Sequence, residues 1–177
     1  MAALIQTRHG PVHIRPGQET DAQAYRSLRL AALRNHPEVF SADFAANETQ
    51  PMTYWIERLH LLGSESMIYF ATSNEVLIGM CGIYRGSGPK TQHSATIVGV
   101  YVQPEWRGQQ IAEGLITACV DWARTQGVKI IKLAVVTTNT AAIRCYTGCD
   151  FTVYGIEPQA IYYNGVLYDE LLMARTL

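Results

Sequence analysis

The chain has 177 residues, of which 48% are hydrophobic and 16% are charged, and its formal net charge is −1. This size and composition suit one globular unit with a sizeable core. The near-neutral charge argues against general attraction to nucleic acid or to acidic membranes, and no apolar run approaches the roughly 20 residues that span a bilayer. The start of the chain does not resemble a secretory signal, so we expect a cytoplasmic protein.

The cysteines and histidines do not predict a metal site. Four cysteines and five histidines are scattered along the chain. Cys145 and Cys149 are four residues apart and fit one helix face, but no second pair or neighbouring histidine completes a zinc set. We therefore expect reduced core thiols and no bound metal.

Short strands and helices are predicted in the first half of the chain. In chain order these are a flexible lead-in (1–11), a short strand (12–17), a helix (20–35), an irregular stretch (37–51) and a second helix (52–62). The Pro16-Gly17 pair ends the strand, and the His36-Pro37 pair ends the first helix because the residue before a proline disfavours helical angles.

The second half alternates more regularly. Its predicted elements are strands at 67–72, 76–86 and 93–102, a helix at 109–126, a strand at 128–136, a short helix at 139–147, a strand at 151–156 and a last strand from Leu167. Gly99 lies inside a strand, where glycine often marks a bulge. Asn164-Gly165 is a hairpin-turn dipeptide. The order predicts an α/β fold, with a mixed, mostly antiparallel sheet of about seven strands and about four helices, in one domain over 12–177.

The segment PEWRGQQIAEGL, residues 104–115, connects a strand to a helix and is a candidate phosphate site. A helix N-terminus presents unpaired N–H groups and a partial positive charge. Gly108 permits close approach of the backbone, and Arg107 adds a charged donor. From these residues alone, an ordinary strand-to-helix connection remains an equal alternative.

The segment NTAAIRCYTGCDF, residues 139–151, is the second candidate. Asn139 follows a strand and suits the N-cap of a short helix, and Tyr146 lies two turns further on. A tyrosine at that place can donate a proton to a departing thiolate. The alternative is an amphipathic tyrosine at the edge of the core.

Together the two segments resemble the GNAT superfamily of N-acetyltransferases. That family has R/Q-x-x-G-x-G/A after a strand ending in V-x-P, and further on N-x-x-A-x-x-x-Y-x-x-x-G-F. The matching positions here are Val102, Pro104, Arg107, Gly108, Ala112, Asn139, Ala142, Tyr146 and Phe151. The order of elements from about Val12 to Leu177 fits the same family.

The resemblance implies transfer of an acetyl group from acetyl-CoA to an amine, with Tyr146 protonating the coenzyme A sulfur as it leaves. It also implies a sheet that is splayed beside Gly99 to make a slot for the cofactor. The cofactor would contact Val100, Tyr101, Val102, Arg107, Gly108, Gln109, Gln110, Ile111, Ala112, Asn139, Ala142 and Tyr146. No metal is implied, and a homodimer is compatible with the family.

Two positions depart from the family pattern. Gln110 stands where the loop usually has glycine, and we expect it to keep a helical backbone and to offer its N–H to phosphate. Asp150 stands where glycine usually precedes the final phenylalanine, and we expect a turn conformation that aspartate tolerates. Both changes are expected to affect the strength of cofactor binding rather than to abolish it.

The acceptor and the general base remain open. The leading hypothesis is a small amine, and the alternatives are a protein N-terminus or lysine, and a non-catalytic acyl-CoA-binding module. The family often places a glutamate on the strand before the loop, but residues 96–99 contain no acid. The remaining base candidates are Glu48, Glu157, Asp169, Glu170 or a chain of water molecules. A partly apolar acceptor cleft is expected from Phe40, Phe44, Tyr162 and Tyr163.

Overall fold

The computed structural model describes residues 3–177 of the chain. Its elements, in order, are β1 (Ala3–Thr7), β2 (Gly10–Pro16), α1 (Ala22–Asn35), α2 (Phe44–Glu48), α3 (Met52–His60), β3 (Ser66–Ser73), β4 (Val76–Arg85), β5 (Ser94–Val102), α4 (Ile111–Thr125), β6 (Ile130–Val136), α5 (Thr140–Gly148), β7 (Thr152–Tyr163) and β8 (Val166–Thr176). Single 3-10 turns at Glu19–Asp21 and Pro104–Trp106 come shortly before α1 and α4. None of the helices in this part of the chain is long and apolar enough to cross a membrane.

The strands form one sheet in the order β1-β2-β3-β4-β5-β6-β8-β7. Every neighbouring pair is antiparallel except β5 and β6, which are parallel. The predicted α/β fold with a mixed, mostly antiparallel sheet is confirmed. The described residues contain eight strands and five α-helices, slightly more than the predicted seven and four, because β1 and the five-residue α2 were not foreseen.

The start of the chain differs from the predicted lead-in over 1–11. Residues 1–2 lie outside the described part, but Ala3–Thr7 pairs with β2 across a tight turn in which the Thr7 hydroxyl donates to the Gly10 carbonyl at 2.6 Å. This strand is short and Leu4 is half exposed, so the hydrophobic pattern of residues 3–7 indicates a strand only weakly. It is positioned by tertiary contact, since Ile5 fills the space left by the missing side chain of Gly114 on α4.

Helices cover both faces of the sheet and create two cores. The predicted stripe on α4, which includes Ile111, Leu115 and Cys119, is buried against one face. Helices α1 and α3 pack on the other face around Trp55 and Phe70. Each strand contributes side chains to both cores, because successive residues of a strand point to opposite faces of the sheet.

The C-terminal hairpin is longer than predicted. The strand expected at 151–156 continues to Tyr163 and turns at Asn164-Gly165, where both residues have positive φ. The pairing of β7 with β8 is irregular between Glu157 and Ile161, which accommodates Pro158 within the strand. The hairpin-turn prediction is confirmed.

Candidate functional site

The sheet splits beside β5. β5 pairs with β6 only over Ser94–Thr96, after which β6 continues alongside β8 and the two strands separate. The remaining main-chain groups of β5 on that side have no strand partner. An open strand edge of this kind can bond an extended chain that carries amide groups.

A bulge at Gly99 accompanies the split. Met80 of β4 pairs with Tyr101 and Gly82 pairs with Val98, so Gly99 and Val100 together oppose Cys81 alone. Gly99 has φ +64, a left-handed angle that glycine adopts without a steric penalty. Bulges bend the strand and increase its local twist, which turns β5 away from β6. The bulge predicted at this glycine is confirmed.

A cavity of about 670 Å³ fills the split. Its lining comes from residues 97–102 of β5, the loop into α4, residues 133–136 of β6, and the start and inner face of α5. Every predicted cofactor contact except Gln109 lines it. The side chain of Gln109 instead turns toward the β1–β2 turn, where its Oε1 accepts a hydrogen bond from the Arg8 amide at 2.9 Å.

The loop into α4 ends in a left-handed residue. Gln110 has φ 62 and ψ 17, so the expected helical backbone at this position is wrong. The chain must reverse between Gly108, at φ +71, and Ile111, and it needs a left-handed angle directly before the helix. Most residues other than glycine adopt this angle with strain. The Gln110 carbonyl still accepts the first helical bond, from the Gly114 amide at 3.0 Å.

The first turn of α4 can receive an anion. By helix geometry the N–H groups of Ile111 and Ala112 have no acceptor within the helix, and both residues line the cavity. The helix dipole adds a partial positive charge at the same point. Glu113 also lines the cavity and places one negative charge on this turn.

Arg107 points back along β5 rather than out of the loop. Its Nε donates to the Val102 carbonyl at 3.0 Å, and its Nη2 lies 2.8 Å from Nε2 of His36. Because a guanidinium can only donate, His36 Nε2 accepts this bond and carries its proton on Nδ1. The Nδ1 atom lies 4.0 Å from Glu38 Oε1.

Helix α5 brings Tyr146 to the cavity. Asn139 is its N-cap, as predicted, with Oδ1 accepting from the Ala142 amide at 3.2 Å. Tyr146 is 8% exposed and packs against Phe151. Burial raises the pKa of Tyr146 well above its ordinary value of 10.0, so the phenol stays protonated at neutral pH. A buried phenol in that state can donate a proton.

The turn after α5 fits the sequence expectation. Asp150 has φ 63, a left-handed angle that aspartate tolerates better than most residues. Its carboxylate lies 3.2 Å from the Arg175 guanidinium, and Arg175 also donates to the Cys149 carbonyl. These contacts hold the turn, so the predicted tolerance of aspartate at this position is confirmed.

The four cysteines are free thiols, and Cys145, the one that lines the cavity, is not activated as a nucleophile. The hydrogen bond with Cys145 lowers the pKa of Cys149, but Cys149 lies outside the cavity lining. Cys81 and Cys119 are buried with their sulfur atoms 3.4 Å apart. Cys145 lines the cavity, but a hydrogen bond with Cys149 and burial raise its pKa far above the ordinary range, which keeps the thiol protonated. Within residues 3–177, no group of three or more His, Cys, Asp or Glu side chains is arranged to hold a metal ion.

The four acids considered as bases lie outside the cavity lining. Glu48 faces Arg34 at 3.7 Å, and Asp169 accepts from the Gln159 amide at 2.8 Å. Glu157 and Glu170 pair across β7 and β8, and neither lines the cavity. The positions of these four acids relative to the cavity could not be predicted from the sequence, because they depend on the order of the strands in the sheet.

The acids that do line the cavity are Glu38 and Glu113, and sequence reasoning did not select either. Glu38 follows the His36-Pro37 pair that ends α1, which places it on the loop over β5.

Of the four aromatic residues expected at the cleft, Phe40 lines the cavity. Phe44 lies under Arg34 instead, Tyr162 is 70% exposed, and Tyr163 is also outside the cavity lining.

Comparison with known sequences finds one family. A sequence profile of the acetyltransferase (GNAT) family matches residues 28–151. Mycothiol acetyltransferase of Brachybacterium faecium is 28% identical over 145 residues, which cover 80% of this chain and 41% of that protein. The chain therefore spans less than half the length of this curated relative.

Solved structures share the fold. The acetyltransferase of the GNAT family from Streptococcus pneumoniae has a TM-score of 0.84 at 19% identity, covering 94% of this chain and 99% of that one. An acetyltransferase from Salmonella typhimurium, solved with its cofactor acetyl-CoA, has a TM-score of 0.80 at 23% identity and covers 94% of each chain. At these identities the likeness concerns the architecture alone.

Proposed function

This chain belongs to the acetyltransferase (GNAT) family, and on that premise we propose that it transfers the acetyl group of acetyl-CoA to a primary amine of a small-molecule acceptor. The observation that carries the proposal is the split between β5 and β6. It joins an open strand edge, the start of α4 and the buried phenol of Tyr146 in one cavity.

The cavity suits each part of the donor. The free edge of β5 offers the N–H and C=O groups of Val100 and the N–H of Val102 to the amides of the pantetheine arm, while the Val102 carbonyl accepts from Arg107. The N–H groups of Ile111 and Ala112 face the same cavity and suit the pyrophosphate. Arg107 adds positive charge to this end while its own bonds hold it against Val102.

The chemistry needs three contributions from the protein. Acetyl-CoA supplies an activated thioester, and the amine must attack it in the neutral form. An alkyl ammonium with a pKa near 10.4 is neutral in only about one molecule in a few thousand at pH 7, so a proton must be removed. Main-chain N–H groups at the bulge stabilise the charge that develops on the thioester oxygen. Tyr146 then donates its proton to the departing sulfur.

The proton of the amine leaves through solvent in this proposal. The four acids considered from the sequence lie outside the lining. Of the two acids that line the cavity, Glu113 belongs to its phosphate end, and Glu38 faces His36 Nδ1 at 4.0 Å. Direct attack also requires no covalent enzyme intermediate, which agrees with the raised pKa of Cys145.

The alternatives have no specific observation in their favour. A protein N-terminus or lysine would be served by an acidic groove, but the charged side chains of the cavity are balanced, with Glu38 and Glu113 against Arg107 and Arg144. A non-catalytic acyl-CoA-binding module has no need for a buried, protonated Tyr146 at the cavity. The cytoplasmic location and the homodimer remain predictions from the sequence.

Two measurements test the proposal. Millimolar CoA or acetyl-CoA is expected to raise the melting temperature of the purified protein, and the absence of any shift would contradict the cofactor assignment. A thiol-release screen over polyamines, aminoglycosides, amino acids and peptides then identifies the acceptor class. Binding of CoA without thiol release from any amine would favour the non-catalytic alternative, and turnover of peptides alone would favour the protein acceptor.

A further inference from the structure

A second cavity of about 280 Å³ lies on the opposite side of the bulge from the helix α4 core. It opens to solvent and is lined by α1, the end of α3 with residues 61–62, and the neighbouring faces of β3, β4 and β5. Val98 and Gly99 belong to the lining of both cavities, so the two spaces adjoin at the bulge. A molecule in the smaller cavity therefore lies next to the point where the acetyl group would be presented.

Arg29 has a free hydrogen-bond donor at the point where the two cavities adjoin. Its Nη1 atom is buried and has no hydrogen-bond partner. The guanidinium lies over the Phe40 ring at 4.9 Å, and a Cβ placed on Gly99 would lie 3.4 Å from Nη1. A buried donor without an acceptor costs about 1–3 kcal/mol, and more when the group is charged, so a structure rarely retains one without a ligand or function.

Arg58 adds a second positive charge to the same cavity. Its Nη1 donates to the Tyr54 hydroxyl at 2.9 Å. Within residues 3–177 no carboxylate pairs with Arg29 or Arg58, and no Asp or Glu lines this cavity. By contrast, Arg15 forms an ion pair with Asp21 at 2.7 Å. Burial, above all, and the neighbouring charge of Arg58 lower the pKa of Arg29.

We propose that this cavity binds the carboxylate of the acceptor, so that the substrate is a small amine with a nearby carboxylate, such as an amino acid. A carboxylate would accept the free Nη1–H of Arg29 and offset one of the two guanidinium charges. The inference rests on the proposed acetyl transfer and specifies its acceptor class.

The rest of the lining indicates the size and polarity of the acceptor. The volume lies just below the range of about 300–1,000 Å³ for small-molecule sites, which suits one amino acid better than an extended peptide. The apolar side chains on the α1 and α3 side of this wall include Ile68, Met80 and Leu62. An apolar acceptor side chain, as in methionine or phenylalanine, fits that wall.

Matched acceptors test the inference. We expect kcat/KM in a thiol-release assay to be at least about tenfold higher for L-methionine than for L-methioninamide, and likewise for L-phenylalanine and its amide, because the amide loses a charge-assisted bond. The amide has the lower amine pKa, so its larger neutral fraction works against this result. Acids and amides acetylated equally well would overturn the inference and leave the proposed function intact.

Variants assign the effect to Arg29. Arg29→Gln is expected to lower kcat/KM for the acids at least about tenfold and to bring the acid-to-amide ratio close to one, with partial recovery in Arg29→Lys. Arg34→Gln removes one charge from the same helix, but its side chain is 67% exposed, so it should retain the ratio. Unchanged CoA affinity shows that each variant is folded. A ratio unchanged in Arg29→Gln contradicts the inference.

Direct binding separates failure of the inference from failure of the proposed function. If no amine releases thiol, calorimetry with L-methionine on the CoA-bound protein still decides the carboxylate site. Binding that is lost with L-methioninamide and in Arg29→Gln supports the site without turnover. Absence of binding in the wild-type protein overturns it.

Discussion

Arg107 and His36 are joined by a hydrogen bond of 2.8 Å between Nη2 and Nε2, which connects the loop before α4 to the loop after α1. The two residues are 71 positions apart in the chain, and both line the large cavity. His36 directly precedes the segment that contains Glu38 and Phe40. The bond therefore fixes one wall of the cavity against the end of β5.

Loss of this bond should weaken CoA binding. We expect His36→Ala to raise the dissociation constant for CoA about three- to tenfold, which corresponds to one partly exposed hydrogen bond to a charged group. Isothermal titration calorimetry measures the change. His93→Ala removes an exposed imidazole elsewhere and should leave the affinity unaltered. Equal affinities in wild type and His36→Ala would show that the loop is held by other contacts.

Glycine at position 110 should relieve strain in the loop. Gln110 has φ 62, and a left-handed angle costs an ordinary residue roughly 1–2 kcal/mol. We expect Gln110→Gly to raise the free energy of unfolding by about 1 kcal/mol and to leave CoA affinity within about twofold, because the left-handed angle is already present without ligand and its strain is relieved in the free and the bound protein alike. Urea unfolding and calorimetry provide the two values.

Gln159→Gly is the matched control for this substitution. Gln159 has φ 55 and lies in the irregular part of β7, outside the cavity lining. It should gain similar stability with no effect on CoA affinity. A loss of stability in Gln110→Gly would mean that the left-handed angle is not a source of strain at this site.

Removal of the Tyr146 hydroxyl should slow turnover without affecting cofactor binding. General acids typically contribute about 10²–10⁴-fold, so we expect Tyr146→Phe to lower kcat by about 10²-fold. The ring and its packing on Phe151 are retained, and CoA affinity should stay within about twofold. Tyr154→Phe, at a tyrosine that is 56% exposed, serves as the control. An unchanged kcat in Tyr146→Phe would exclude this phenol as the proton donor.

The cap of α5 should matter for both stability and rate. Asn139→Ala removes the acceptor for the Ala142 amide and should cost about 1 kcal/mol of unfolding free energy, while Asn139→Asp retains most of it. Asp43→Ala removes an equivalent cap from α2, where Asp43 accepts from the Ala46 amide at 2.8 Å. Because α5 carries Tyr146, kcat should fall in Asn139→Ala and remain normal in Asp43→Ala. If Asn139→Ala and Asp43→Ala had the same kcat, the Asn139 cap would not be needed to position the Tyr146 phenol.

The contribution of Glu170 to the free energy of unfolding should be less favourable at neutral pH than at mildly acidic pH. Burial, and then the charge of Glu157 opposite it, raise the pKa of Glu170. A carboxyl whose pKa is higher in the folded state destabilises the fold once it ionises, and the cost disappears below its unfolded pKa of about 4.3. Glu170→Gln should therefore be more stable than wild type at pH 7 and similar near pH 4. Glu65→Gln, at an exposed site, should show neither effect.

Features with a local cause were predictable from the sequence. The α4 stripe follows from helical periodicity, and the bulge at Gly99 follows from a glycine inside a strand. Asn139 caps α5 because its short side chain reaches the N–H groups of the first turn. In each case the residues responsible lie within a few positions of the feature, so the sequence window contains the whole cause.

Features that depend on distant segments could not be predicted in the same way. The angle of Gln110 is imposed by the direction in which the chain must leave Gly108, against the preference of glutamine. Strand β1 forms because β2 and α4 are there to receive it. The role proposed for Arg29 could not be predicted from the neighbouring residues of α1. That role depends on the proximity of Gly99 and on the absence of a carboxylate close to the guanidinium.

The short contact between β5 and β6 has a mechanical consequence. Within residues 3–177, the strand ladder between the five-stranded N-terminal part of the sheet and the three-stranded C-terminal part consists of three residue pairs. A donor molecule bound along β5 and against α5 would replace the missing rungs of this ladder, and its binding free energy would add to the cohesion of the two parts. Hydrogen exchange along β6 and β8 would then slow on binding and recover with each product release. The two halves of the sheet would be held most tightly together during catalysis itself.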